Sequence, residues 1–110
     1  MALTVDGKSL ATTEQGFLVD VADWNNVVAE ALAEHEGIAL EPQHWEILYF
    51  IRAYYRDYKH LPNARGFAKA IKNTLGEDKA SSRYLQKLFP DGPLKVACKL
   101  AGLPKPPTCM

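Results

Sequence analysis

Cysteine is scarce in this 110-residue chain, which holds only Cys98 and Cys109. Two thiols alone cannot complete a four-ligand zinc site. The three histidines, His35, His44 and His60, show no paired metal-ligand spacing, so neither a metal nor a cofactor is expected. Long apolar runs are missing as well. No stretch approaches the ~18–20 residues of a membrane span, and the opening MALTVDGKSL has neither the basic nor the apolar region of a secretion signal. The expected location is therefore the cytoplasm and no membrane partner is expected. A reducing compartment disfavours a permanent disulfide and favours transient or carrier chemistry at thiols. Positive charge is also short at the start. Residues 1–46 hold one base, Lys8, against nine acids, whereas residues 47–110 hold twelve bases against four acids. Such a chain either neutralises itself within the fold or turns its later half toward an anionic partner.

What is present reads as one domain. With 47% apolar and 24% charged residues, the chain has the composition to bury a single core and too little length for a second. Asp6-Gly7 between LTV and KSLA predicts a short hairpin, and FLV after Gly16 another extended piece. The period then changes. Trp24, Val27, Val28, Ala31 and Leu32 recur at helical spacing after Asp20 and Asp23, with Gly37 as the stop. Pro42 opens a second helix, rich in aromatic residues, that Pro62 ends. Asn63 caps a third, with Phe67, Ile71 and Leu75 inward and Arg65, Lys69 and Lys72 outward, and Gly76 as its stop. EDKASS reads as a polar turn. Ser81 or Ser82 starts a fourth helix through Phe89 that Pro90 ends, and Pro93 a fifth, with Leu94, Ala97, Cys98 and Ala101 on one face and Gly102 as its end.

The expected fold class is thus α+β, predominantly helical: a small N-terminal β-hairpin, then an irregular helical bundle. Residues 1–102 form the globular domain. Residues 103–110 have three prolines and no periodicity, and are expected to be a mobile arm. The eleven steps between the cysteines span at most ~36 Å extended and ~18 Å as a coil, so Cys109 can enter a cleft in another protein. It can also fold back, since closing a ring of that length costs about 3 kcal/mol. Nothing in the sequence supplies an activated thiol. The terminal carboxylate one residue beyond Cys109 opposes ionisation, Lys105 offers screened help, and activation falls to a partner's pocket or to the basic surface carrying Lys95 and Lys99. Cys98, on an apolar helical face, is explained equally by packing.

EQGFL, HWEILYFIRAYY, the stretch from Pro62 to Arg65, SSRYL, LFPDGPLK and the closing AGLPKPPTCM together resemble the DsrC/TusE family of small cytoplasmic sulfur-carrier proteins, also described as the gamma subunit of dissimilatory sulfite reductase. The resemblance implies a hairpin on a bundle with a helix-turn-helix-like pair, and a mobile arm whose penultimate cysteine, Cys109, carries sulfur as a persulfide. The implied partners are an upstream sulfur-carrier complex and an enzyme that 2-thiolates the tRNA wobble uridine. Members of the sulfite-reductase type have a second arm cysteine eleven positions earlier, which Cys98 matches, and form a disulfide or trisulfide with dissimilatory sulfite reductase. Arg65 and Arg83 match positions often basic in the family and are expected to hold a retracted arm or an anionic sulfur species. Met110 and Gln86 depart from the family's pattern without touching this chemistry. A DNA-binding reading rests on Arg65, Lys69 and Lys72 alone. The acidic first half repels DNA at long range, so direct nucleic-acid binding is not expected.

Overall fold

The fold was described from a computed structural model, which describes residues 2–90 and 92–106. The chain opens with strand β1 (Ala2–Val5), which pairs antiparallel with β2 (Lys8–Ala11). Asp6 and Gly7 take the positive φ values, 50° and 79°, that a two-residue hairpin turn requires. Leu3 and Val5 alternate inward onto the bundle, while Thr4 points out. A further bridge, Thr12 to Leu18, continues the extended segment and buries Phe17 and Leu18.

Six α-helices follow among the described residues. Asp20 caps a 3-10 turn at Val21–Asp23, and α1 (Asn26–His35) begins three residues later, where the Asn25 side chain accepts from the Val28 amide at 2.9 Å. The long α2 (Pro42–Tyr58) starts with proline at its first turn and ends at Lys59 in the left-handed region. Asn63 caps α3 (Ala64–Thr74) and Ser81 caps α5 (Ser82–Leu88). The polar stretch expected to be a turn is instead helical, α4 (Glu77–Ala80). Four residues give no periodicity to read, and α4 lies against α3 and α5, whose packing supplies what local propensity does not. The last helix, α6 (Pro93–Leu100), packs against α1, α2 and α5 and so lies at the centre of the bundle. No helix among the described residues is long and apolar enough to cross a membrane.

The charge asymmetry is partly resolved inside the fold. Lys79 pairs with Glu46 at 2.6 Å and Lys99 with Glu36 at 3.5 Å, each joining the basic later half to the acidic first half. Among the described residues, His44 is the buried polar side chain. Its Nδ1 accepts from the Glu41 amide at 3.0 Å, which leaves Nε2 as the donor to the Leu88 carbonyl at 2.9 Å, and Phe89 meets the ring edge-on.

Candidate functional site

The site is built around the end of α6, where the bundle gives way to the arm. Leu94, Val96, Ala97, Cys98 and Leu100 are all buried on this helix. Cys98 has no exposed surface, and desolvation pushes its thiol up to about 12. Such a sulfur is inert at neutral pH. The helix ends in a paired motif: the Gly102 amide bonds to the Lys99 carbonyl at 3.2 Å and the Leu103 amide to the Cys98 carbonyl at 3.0 Å. Gly102 has φ +71°, and a methyl group there would lie 2.7 Å from Trp24 Cγ. Glycine is therefore required twice over, by the backbone angle and by the indole packed on it.

Two side chains hold the remaining carbonyls of the helix end. Trp24 donates its indole N–H to the Leu100 carbonyl at 2.8 Å, and Arg52 donates Nη1 to the Ala101 carbonyl at 2.7 Å. The Arg52 guanidinium also lies 4.3 Å from the centre of the Trp24 ring. Arginine, tryptophan and the Gly102 backbone thus form one stack that clamps the C-terminal end of α6. Leu103 is buried, adding about 2 kcal/mol of apolar stabilisation, and Pro106 is buried as well, while Pro104 and Lys105 are exposed. Cys109 lies outside the described residues.

Beside the clamp opens a cleft of about 540 Å³ lined by Val21, Tyr49, Arg52, Ala53, Tyr55, Arg56, Lys59 and Leu103. Its lining combines three cations with apolar and aromatic side chains. Burial lowers the pKa of Arg52 from the usual arginine range. Arg56 meets Asp57 at 3.2 Å, both well exposed, which is worth little.

The basic residues expected to assist the arm are dispersed. Lys95 is exposed on α6. Lys99, its near neighbour, is largely enclosed, paired with Glu36, and lies 5.3 Å from the centre of the Phe17 ring, so it stitches the N-terminal segment to α6. Arg65 on α3 and Arg83 on α5 are both exposed, and neither lines the cleft at the arm root. The residues the sequence reading missed are Trp24, Arg52, Arg56 and Lys59. One signal was available: Arg52 is the only charge in the nine residues 47–55, an ion set within an otherwise uncharged and mostly apolar stretch of α2.

Comparisons with known proteins agree on what this architecture resembles. The family described as DsrC like protein matches residues 4–110. The sulfurtransferase TusE of Pectobacterium atrosepticum is 47% identical over 108 residues, 98% of this chain and 99% of that protein. Among solved structures, DsrC of Allochromatium vinosum superposes with a TM-score of 0.91 at 44% identity. The oxidised gamma-subunit of the dissimilatory sulfite reductase (DsrC) from Archaeoglobus fulgidus gives 0.86 at 41%. In both, all of each chain is covered.

Proposed function

The chain belongs to the DsrC family, and from that premise we propose that it carries sulfur as a persulfide on Cys109 and hands it to a partner enzyme in a cytoplasmic relay. The observation that supports this reading is the clamp at the end of α6. It fixes the end of the helix on which Cys98 is fully buried, and that burial raises the Cys98 pKa to about 12, which leaves Cys109 as the thiol to meet other proteins. In the loading step the Cys109 thiolate attacks the outer sulfur of a donor persulfide. A new S–S bond forms, the donor's S–S bond breaks, and the donor leaves as its thiolate with no net oxidation. Delivery runs the same exchange toward an acceptor. The partners proposed are an upstream sulfur-carrier complex and a tRNA-thiolating enzyme, in keeping with the TusE relatives. Incubation with a persulfide donor followed by intact mass measurement should show one added sulfur. Equal uptake by Cys109→Ser would place the carrier site elsewhere.

A second reading has one observation in its favour, the retention of Cys98 eleven residues before Cys109. Here the protein is a substrate of a dissimilatory sulfite reductase. The Cys98 thiolate attacks Sγ of the Cys109 persulfide, forms the Cys98–Cys109 disulfide and releases hydrosulfide. The clamp must first open, since Cys98 is enclosed and the two α-carbons must come within ~7 Å. Mild oxidation of the monomer followed by peptide mapping tests it. No Cys98–Cys109 crosslink under any oxidant, alongside normal persulfide loading, would leave only the relay.

A further inference from the structure

One face of α2 changes character along its length. Trp45, Tyr49, Arg52 and Arg56 recur at steps of four, three and four. That spacing confines them to an arc of roughly 60° over ~16 Å of helix, and Lys59 follows just past the helix end. The first part is aromatic. Trp45 stacks on Tyr49 with ring centres 5.8 Å apart, and Tyr49 meets Trp24 edge-on at 6.1 Å. Tyr49 also donates its hydroxyl to Asn26 at 2.8 Å, which ties the start of α1, with Val27 next in the chain, to this face. Val27 and Tyr49 are nevertheless 44% and 48% exposed, apolar surface that the described fold leaves uncovered.

The second part is cationic. Half-buried Arg52 has a carbonyl and an aromatic face for partners, neither of them anionic. A guanidinium has five N–H donors, and Arg52 gives one of them to Ala101, so it can take a carboxylate without releasing that bond. Arg56 meets only the exposed Asp57, and Lys59 makes no ion pair among the described residues. The face therefore presents more positive charge than the described residues match.

We propose that this face is a docking surface for a protein segment that combines carboxylates with apolar side chains. The apolar side chains seat against Val27, Trp45 and Tyr49, and the carboxylates meet Arg52, Arg56 and Lys59. Charge complementarity and composition support this occupant. Tryptophan, tyrosine and arginine are the residues that dominate protein interfaces, and the arginine fork matches a carboxylate. A nucleic acid fits less well. Trp45 and Tyr49 lie on one another and Arg52 lies over Trp24, so bases find little open ring to stack on. Asp20 and Asp23 flank Val21, which lines the cleft beside this face, and a continuous polyanion would meet them. Leu103, whose amide closes the end of α6 on the Cys98 carbonyl, lines the same cleft, so a docked partner touches the helix end as well. The surface is distinct from any reacting thiol, so the proposal goes beyond the carrier reading and does not depend on it.

The test uses the full chain, isotope-labelled for NMR, and a capped peptide of about four helical turns with Leu at i, i+3, i+4 and i+7 spacing and Glu elsewhere. The peptide should give saturable shifts of the Trp45 indole N–H and of the Tyr49, Arg52 and Arg56 amides, weakening at high salt. Replacing its Glu by Gln should weaken binding at least ~10-fold, as should Arg56→Glu/Lys59→Glu in the protein, where both side chains are exposed and folding is retained. Val27→Ser, also exposed, should weaken it about threefold and leave the salt dependence unchanged. No saturable shift, shifts confined to other faces, or equal binding of the Gln peptide overturns the proposal. An oligouridylate that moves the same signals at lower concentration than the Glu-Leu peptide overturns it in favour of nucleic acid. None of these measurements involves a sulfur donor. Failure here therefore leaves the carrier reading intact, and failure of persulfide loading leaves the docking surface intact.

Discussion

Replacing Gly102 by alanine isolates the packing that closes α6. The fold provides a matched control: Gly37 ends α1 with the same pair of capping bonds, at φ +72° against +71°, but has nothing within 4 Å of the position a methyl group would take. Gly37→Ala should therefore cost only the left-handed backbone term, about 1 kcal/mol. Gly102→Ala bears the same term and drives a methyl group into Trp24, where overpacking adds about 1–3 kcal/mol. Displacing the indole also strands the buried Leu100 carbonyl, for about 1–2 kcal/mol more. The sum is about 4 kcal/mol. At about 4 °C per kcal/mol for a chain of this length, Gly102→Ala should melt ~16 °C lower than the parent and Gly37→Ala only ~4 °C lower. Thermal unfolding followed by circular dichroism, with urea titration as a check, measures both. Adding Trp24→Ala to Gly102→Ala should cost less than the two single changes added, because removing the ring removes the clash. Should the two glycine variants melt within ~3 °C of one another, the indole does not pack on the Gly102 backbone and the clamp is misassigned.

Further expectations concern the thiols and the clamp. Trp24→Phe keeps most of the ring but loses the N–H, so it should destabilise by about 1–2 kcal/mol in urea titration and raise the labelling rate of Cys98. The buried thiol also predicts a pH dependence. Its folded pKa of about 12 exceeds the ordinary thiol value of ~8.5, so the folded state holds the proton more tightly. The associated stability is complete below pH ~8.5 and declines as pH rises toward 12. Cys98→Ala should flatten that decline relative to the parent in urea titrations over the same range, and parallel curves would refute the burial of this sulfur. Arg65→Ala and Arg83→Ala should each change stability by less than ~0.5 kcal/mol, since both side chains are exposed.

Most of the architecture was legible because the chain marks its helix ends chemically. Asn63, Ser81, Pro42 and Pro93 stand where helices start, and Gly37 and Gly102 where they stop, so boundaries followed from caps and breakers. The start of α1 was displaced because Asp20 caps a separate 3-10 turn at Val21–Asp23, and Asn25 caps the helix itself. The short α4 was missed because its stability comes from neighbours. At the site, the apolar face carrying Cys98 was readable from spacing. The clamp was not, because it joins Trp24, Arg52 and Leu100–Gly102 across 76 residues of chain, and no local pattern encodes that meeting. Lys99 shows the opposite failure: a lysine that reads as solvent-facing spends its charge on Glu36 and its stem on Phe17.

The stacking of Arg52 on Trp24 equips the molecule with an optical probe of its own. Only two tryptophans are present, and Trp45→Phe would leave a lone emitter wedged between a cation and the peptide that begins the tail. Any event that loosens that peptide, whether capture by a visiting protein or oxidation, must alter the polarity around the indole and shift its fluorescence. Engagement of the tail can thus be watched in real time without a dye.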